Sequence, residues 1–147
     1  MRSLPAALVL LAACAEPLPD DLANFRDKCI RINAAPIPEK ADDPHRGDKH
    51  VWACNVELAK IPRPGATPFA WPDGALIVKE STRAGQDYPW LIAMARKEGG
   101  AWTWDEYTRN FPDQELLRIY ADPSVCTGCH EDVAESSDWI FTAFGGN

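Results

Sequence analysis

The sequence predicts an α+β fold: an antiparallel β-sheet of four to five strands with an N-terminal helix and a C-terminal helix. Three observations lead there. Residues 75–80 are a strongly β-forming run behind an Asp73-Gly74 turn, and residues 101–107 alternate at period two behind Gly99-Gly100. Leu22, Phe25, Cys29 and Ile32 instead recur at helical spacing. Thirteen prolines exclude an all-helical bundle, because an interior proline removes a helix hydrogen bond and clashes with the preceding turn.

The chain opens with Met1-Arg2-Ser3, one positive charge, runs apolar over residues 4–13 and reaches Leu11-Ala12-Ala13-Cys14. This is a short secretory signal, too short for a permanent membrane span. Leu-Ala-Ala-Cys is also a bacterial lipoprotein pattern. Residues 1–13 therefore read as a lipoprotein-type signal peptide with Cys14 lipidated; ordinary cleavage at Ala13-Cys14-Ala15 is the competing reading. Several acyl chains on Cys14 would anchor the protein to a membrane facing the periplasm, and Ala15 after the cysteine suggests the outer membrane. Residues 14–19, with Glu16-Pro17-Leu18-Pro19, read as a tether, and residues 20–147 as one domain.

Within that domain Asp20-Asp21 offers an N-cap for the helix, which is expected to end near Asn33. Residues 34–49, rich in Pro and charge, read as loop. Residues 51–58 read as strand and residues 61–72, with four prolines, as loop again. Residues 75–80, 90–95 and 101–107 supply further strands, the last two joined as a hairpin across Gly99-Gly100. Residues 114–120 read as a helical turn leading to the C-terminal segment. The formal charge of −7 becomes −8 when Arg2 leaves with the signal. It reads as a solvated surface and argues against nucleic acid, which needs cationic phosphate contacts.

The most specific feature is Cys126-Thr127-Gly128-Cys129-His130. Two thiols on one helical turn can add to the two vinyl groups of a haem, and the adjacent imidazole then falls under the iron. A thioredoxin-like pair would need most of its domain after the motif, yet only residues 131–147 follow. A zinc site would need a second ligand pair, and a disulfide across two residues would be strained. The motif therefore reads as one covalent haem c on a C-terminal haem-binding helix, held by Cys126 and Cys129 with His130 as proximal iron ligand. Cys29 and Cys54 are left over. In an oxidising compartment they read as a disulfide, with two buried free thiols as the alternative.

The other face of the haem is less determined. No Met, His or Lys follows His130; Met94, in an apolar strand, reads as core. A sixth ligand from His45 or His50, or an open iron, remains. His45, between Pro44 and Arg46, reads as exposed, whereas His50 begins a strand and is the better distal candidate. An open position admits NO or a small substrate, whereas two strong ligands favour electron transfer.

Trp71-Pro72-Asp73-Gly74-Ala75-Leu76-Ile77-Val78-Lys79-Glu80, with the C-terminal haem motif and Asp138-Trp139-Ile140-Phe141-Thr142, resembles the cytochrome P-460 family and its non-crosslinked relatives, the cytochromes c′-beta. His50-Val51-Trp52-Ala53-Cys54-Asn55-Val56 is a weaker match, and the resemblance covers residues 44–143. It implies an antiparallel sheet, usually a homodimer, and five-coordinate haem on His130. In cytochrome P-460 a strand lysine is joined to the haem edge and hydroxylamine is oxidised; Lys79 matches that lysine, an exposed strand-end lysine being the alternative. Ile77 and Lys79 share one strand face, so both would meet the haem. The family's distal arginine falls on His50. A pocket carboxylate is needed as general base; Asp122 is the better placed, although it could equally cap the Pro123 turn, and Glu131 is the other choice. Phe69, Trp71, Trp102 and Phe111 could wall the pocket but read as core. Three functions follow: hydroxylamine or NO oxidation passing electrons to an unidentified redox partner, NO binding without catalysis, or six-coordinate electron transfer.

Overall fold

A computed structural model describes residues 15–63, 65–66, 68–119 and 122–141. Cys14 and residues 1–13, which read as a signal, lie outside these residues, as does Thr142. The fold is α+β, built on a six-stranded antiparallel meander in sequence order. The strands are β1 (Ile30–Arg31), β2 (Asp48–Cys54), β3 (Leu76–Thr82), β4 (Leu91–Glu98), β5 (Ala101–Thr108) and β6 (Leu117–Ile119). Helix α1 is Phe25–Lys28, α2 is Pro123–His130 and α3 is Ala134–Ser137.

Two elements differ from the reading of the sequence. The N-terminal helix is a single turn, because Cys29 is already extended and Ile30 and Arg31 pair with Ala53 and Trp52. Leu22 and Phe25 pack on one sheet face while Ile32 packs on the other, so their helical spacing does not mark one helical stripe. Residues 117–119 form β6 against β5 where a helical turn was expected, and β1 and β6 together bring the strand count to six. The segment read as a tether also lies along β6: Leu18 N–H donates to Leu116 O and Arg118 N–H to Glu16 O. The β4–β5 hairpin is tight, with Gly99 at φ 58° and Gly100 at φ 80°, the left-handed pair that a two-residue turn demands.

Strand alternation divides the interior. Val51, Ala53, Ile77 and Ala95 join Ile32, Ile61, Trp71, Ala75 and Ile140 on one face. Leu76, Val78, Ile92, Met94 and Tyr107 join Leu22, Phe25 and Cys54 on the other, so Met94 is core there, 7% exposed. On that second face Glu80 is buried and satisfied by Trp52 Nε1–H (3.1 Å) and the Arg26 guanidinium. Cys29, one residue before the β1–β2 register, is bonded to Cys54 with Cα atoms 4.4 Å apart.

That bridge spans 25 residues of sequence. Loop-closure entropy assigns it about 3 kcal/mol. Cys29→Ser with Cys54→Ser should lower the unfolding free energy of the mature protein by about that amount in urea; an unchanged midpoint would show that the bridge is not formed in solution.

Candidate functional site

The first sheet face does not close completely. A cavity of about 470 Å³ lies over it, between α2 with the C-terminal segment and the loop that precedes β2. Its floor is set by register. Val51, Lys79, Ala93 and Glu106 are successive cross-strand partners in one row, and Ala53, Ile77, Ala95 and Trp104 form the next. Two alanines in the middle of the floor leave the space open. Lys79 and Ile77 both line it, as strand alternation requires.

Helix α2 starts where Asp122 accepts a hydrogen bond from Ser124 N–H (2.9 Å) and Pro123 occupies the first turn. Cys126 and His130 lie four residues apart on one helical face, with Cys129 beside them, and all three line the cavity. Neither cysteine is in a disulfide. Burial pushes the Cys126 thiol up and the His130 imidazole down. His130 is buried between Trp104 (ring centroids 4.4 Å) and Phe141 (5.0 Å, edge-on). Its Nδ1 meets the Trp139 carbonyl. A carbonyl only accepts, so Nδ1 carries the proton and Nε2 keeps the lone pair needed by a metal.

The remaining wall is polar. His45 is not exposed as expected: it lines the cavity with a side chain 19% exposed, and its Nδ1 is 3.1 Å from Lys79 Nζ. Lys79 donates, which leaves the imidazole proton on Nε2. Burial, followed by the Lys79 charge, pushes His45 down to about 3. Burial likewise lowers the Lys79 amine. Asp43 accepts from His45 N–H (2.9 Å) and pairs with the buried Lys49 (2.7 Å); burial pushes its carboxyl up, but Lys49 and the His45 amide hold it below the usual range. Gly47 makes this loop placement possible. At φ +96°, a Cβ there would lie 2.3 Å from Thr82 O, and the closeness lets Ser81 Oγ reach His45 O (3.4 Å) and Trp90 Nε1 reach Arg46 O (2.9 Å).

Three expected assignments change. His50 does not line the cavity: it sits opposite Glu80 in the β2–β3 register, one residue out of phase with Val51, and its ring meets Asn33 (3.4 Å). Asp122 is a helix cap rather than the cavity carboxylate; the Ser124 amide holds its carboxyl low and it faces a smaller adjoining pocket. Glu131 is exposed. Among the acidic residues that line the cavity, Glu106 stands on the floor row beside Lys79, and burial pushes its carboxyl up against the pull of Lys79. Phe69, Trp71, Trp102 and Phe111 do not line the cavity: Phe69 and Trp71 pack edge to face (5.6 Å) and Phe111 is exposed. Trp104 and Phe141 are the aromatic residues that line the cavity.

The residues fit a haem. Two thiols and an imidazole open on one side of an apolar cavity; Val125 and Phe141, 64% and 53% exposed, present apolar surface to it. Trp104 Nε1–H is buried beside His130 with no partner among the described residues, a donor suited to an acceptor on a bound group. No known family model and no curated protein matches the chain.

The low value of His45 has a pH consequence. The unfolded imidazole protonates near 6.5 and the folded one near 3, so the unfolded state binds more protons between those values. Stability therefore falls as pH drops from about 6.5 toward 3. His45→Gln should flatten that limb of the stability–pH curve measured by urea unfolding; an unaltered limb would place His45 in water.

Proposed function

We propose that the protein is a periplasmic mono-haem c-type cytochrome whose open haem face binds or oxidises a small nitrogen species, hydroxylamine or NO, as its resemblance to cytochrome P-460 implies. The observation that carries this reading is convergence on one cavity: Cys126, Cys129 and His130 from α2 meet Lys79, Glu106 and His45 from the sheet and loop. Cys126 and Cys129 would hold haem c through thioethers and His130 Nε2 would be the iron ligand. Bound there, haem would supply an iron able to coordinate the nitrogen species and to relay electrons to a separate redox partner.

The chain's own groups handle position and protons. Glu106, raised by burial beside a basic lysine, is suited to accept a proton from hydroxylamine held in the cavity. His45, neutral with its proton on Nε2, offers a donor, and Asp43 fixes its backbone from behind. Lys79, lowered by burial, is the amine that would carry a haem crosslink. One observation favours the second reading, a non-catalytic NO binder: the Lys79 amine is already engaged by His45. We also propose a lipid on Cys14 and a homodimer. With Glu16 to Leu18 paired along β6, such a lipid would hold that edge of the domain close to the outer membrane.

The optical spectrum of the mature protein tests the reading. A five-coordinate c-haem is expected, with a red-shifted, broadened Soret band where Lys79 is crosslinked and an ordinary one in Lys79→Ala. A low-spin six-coordinate spectrum contradicts the open face. For the catalytic version, Glu106→Gln should lower the rate of hydroxylamine oxidation by about 10²- to 10⁴-fold while NO still binds; an undiminished rate removes Glu106 from the chemistry.

A further inference from the structure

The proximal side carries a half-buried carboxylate, 17% exposed, that the proposed chemistry does not use. Asp138 accepts three hydrogen bonds at once, from Trp71 N–H (2.8 Å), Trp102 Nε1–H (3.2 Å) and the Lys97 ammonium. Lys97 is 8% exposed and also donates to Trp71 O (2.9 Å). All three donors belong to the sheet or the loop entering β3, whereas Asp138 lies in the segment after α3. Asp138 is thus a polar clamp between the C-terminal segment and the sheet.

The backbone at the clamp is unusual. Asp138 has φ 51° and Trp139 φ 70°, two successive non-glycine residues in the left-handed region. Such residues cost on the order of 1 kcal/mol or more each and persist where surrounding contacts over-determine them. This pair reverses the chain so that Ile140 enters the core beside Ile77 and Ala95 while the Trp139 carbonyl turns back to His130 Nδ1.

We infer that Asp138 is a positioning residue for the proximal histidine. By anchoring the 138–139 turn to Trp71, Lys97 and Trp102, it holds the Trp139 carbonyl on His130 Nδ1–H. That bond fixes the tautomer, aims Nε2 into the cavity and makes the imidazole a stronger donor to a metal. The inference rests on the haem reading only for its consequence at iron; the clamp and the tautomer concern the chain alone.

The test compares mature wild-type protein with Asp138→Asn and with Asp138→Asn/Lys97→Met, which leaves no buried ammonium unpaired. Trp102→Phe removes one donor while keeping a ring. In ferrous protein, the iron–histidine stretching band should move to lower frequency in both Asp138 variants and by a smaller amount in Trp102→Phe. NO-driven loss of the histidine from iron should be about 10-fold faster, the lower end for outer partners of metal-bound histidines. A folded double variant with the wild-type band would overturn the inference. Should the mature chain carry no covalent haem, the haem reading fails by itself, and imidazole ¹⁵N shifts decide the clamp. A single Nδ1-protonated form in wild type that becomes a tautomer mixture in the double variant supports it; the same single tautomer in both contradicts it.

Discussion

Strand register is the constraint on which this molecule depends. Both faces of the sheet are covered, so every residue of β2 to β5 has an assigned side. The row Val51, Lys79, Ala93 and Glu106 opens on the cavity, and the neighbouring row on the opposite face carries Trp52, Val78 and Met94 into the second core. A slip of one residue would bury Lys79 and Glu106 against Leu22 and Phe25 and bring Val78 and Met94 to the cavity. The apolar face fixes the register, and the register delivers the polar groups.

Those groups are costly to hold. Burial works against the charged form of each one, and the structure meets that cost by pairing: Lys49 with Asp43, Lys79 with His45, and Glu106 close enough to Lys79 for each to moderate the other. The α2 side of the cavity is handled differently. There His130 is held by two aromatic rings and a carbonyl, and the charges sit a step away in the Lys97–Asp138 pair. An aromatic, uncharged setting surrounds the His130 imidazole, and a titratable, hydrogen-bonding one surrounds the open part of the cavity.

Much of this was legible in the sequence, for identifiable reasons. The two-residue turn at Gly99-Gly100 fixes the β4–β5 register, and period-two alternation puts Lys79 beside Ile77. The same turn already placed Glu106 opposite Ala93, so the cavity carboxylate was half visible. What hid it was the eight-residue connection between β3 and β4, which sets no register by itself and so did not reveal that Ala93 faces Lys79. His45 was hidden more deeply. Its placement depends on Gly47 touching the backbone of Thr82, a long-range contact with no local signature. The N-terminal helix misled because Leu22, Phe25, Cys29 and Ile32 owe their spacing to two different cores and a cross-strand disulfide. The nearness of Asp122 in sequence to Cys126-Thr127-Gly128-Cys129-His130 reflects helix capping.

Cavity, thiols and imidazole together support the proposal that the space over Ala93 and Ala95 would take a haem gripped from α2. A crystal structure of the mature protein, produced in cells that attach c-type haem, tests it most directly. The account predicts a macrocycle over those two alanines, thioether bonds to Cys126 and Cys129, His130 Nε2 on iron and Lys79, Glu106 and His45 around the cavity. A disulfide between Cys126 and Cys129, with the cavity filled by side chains, would contradict it.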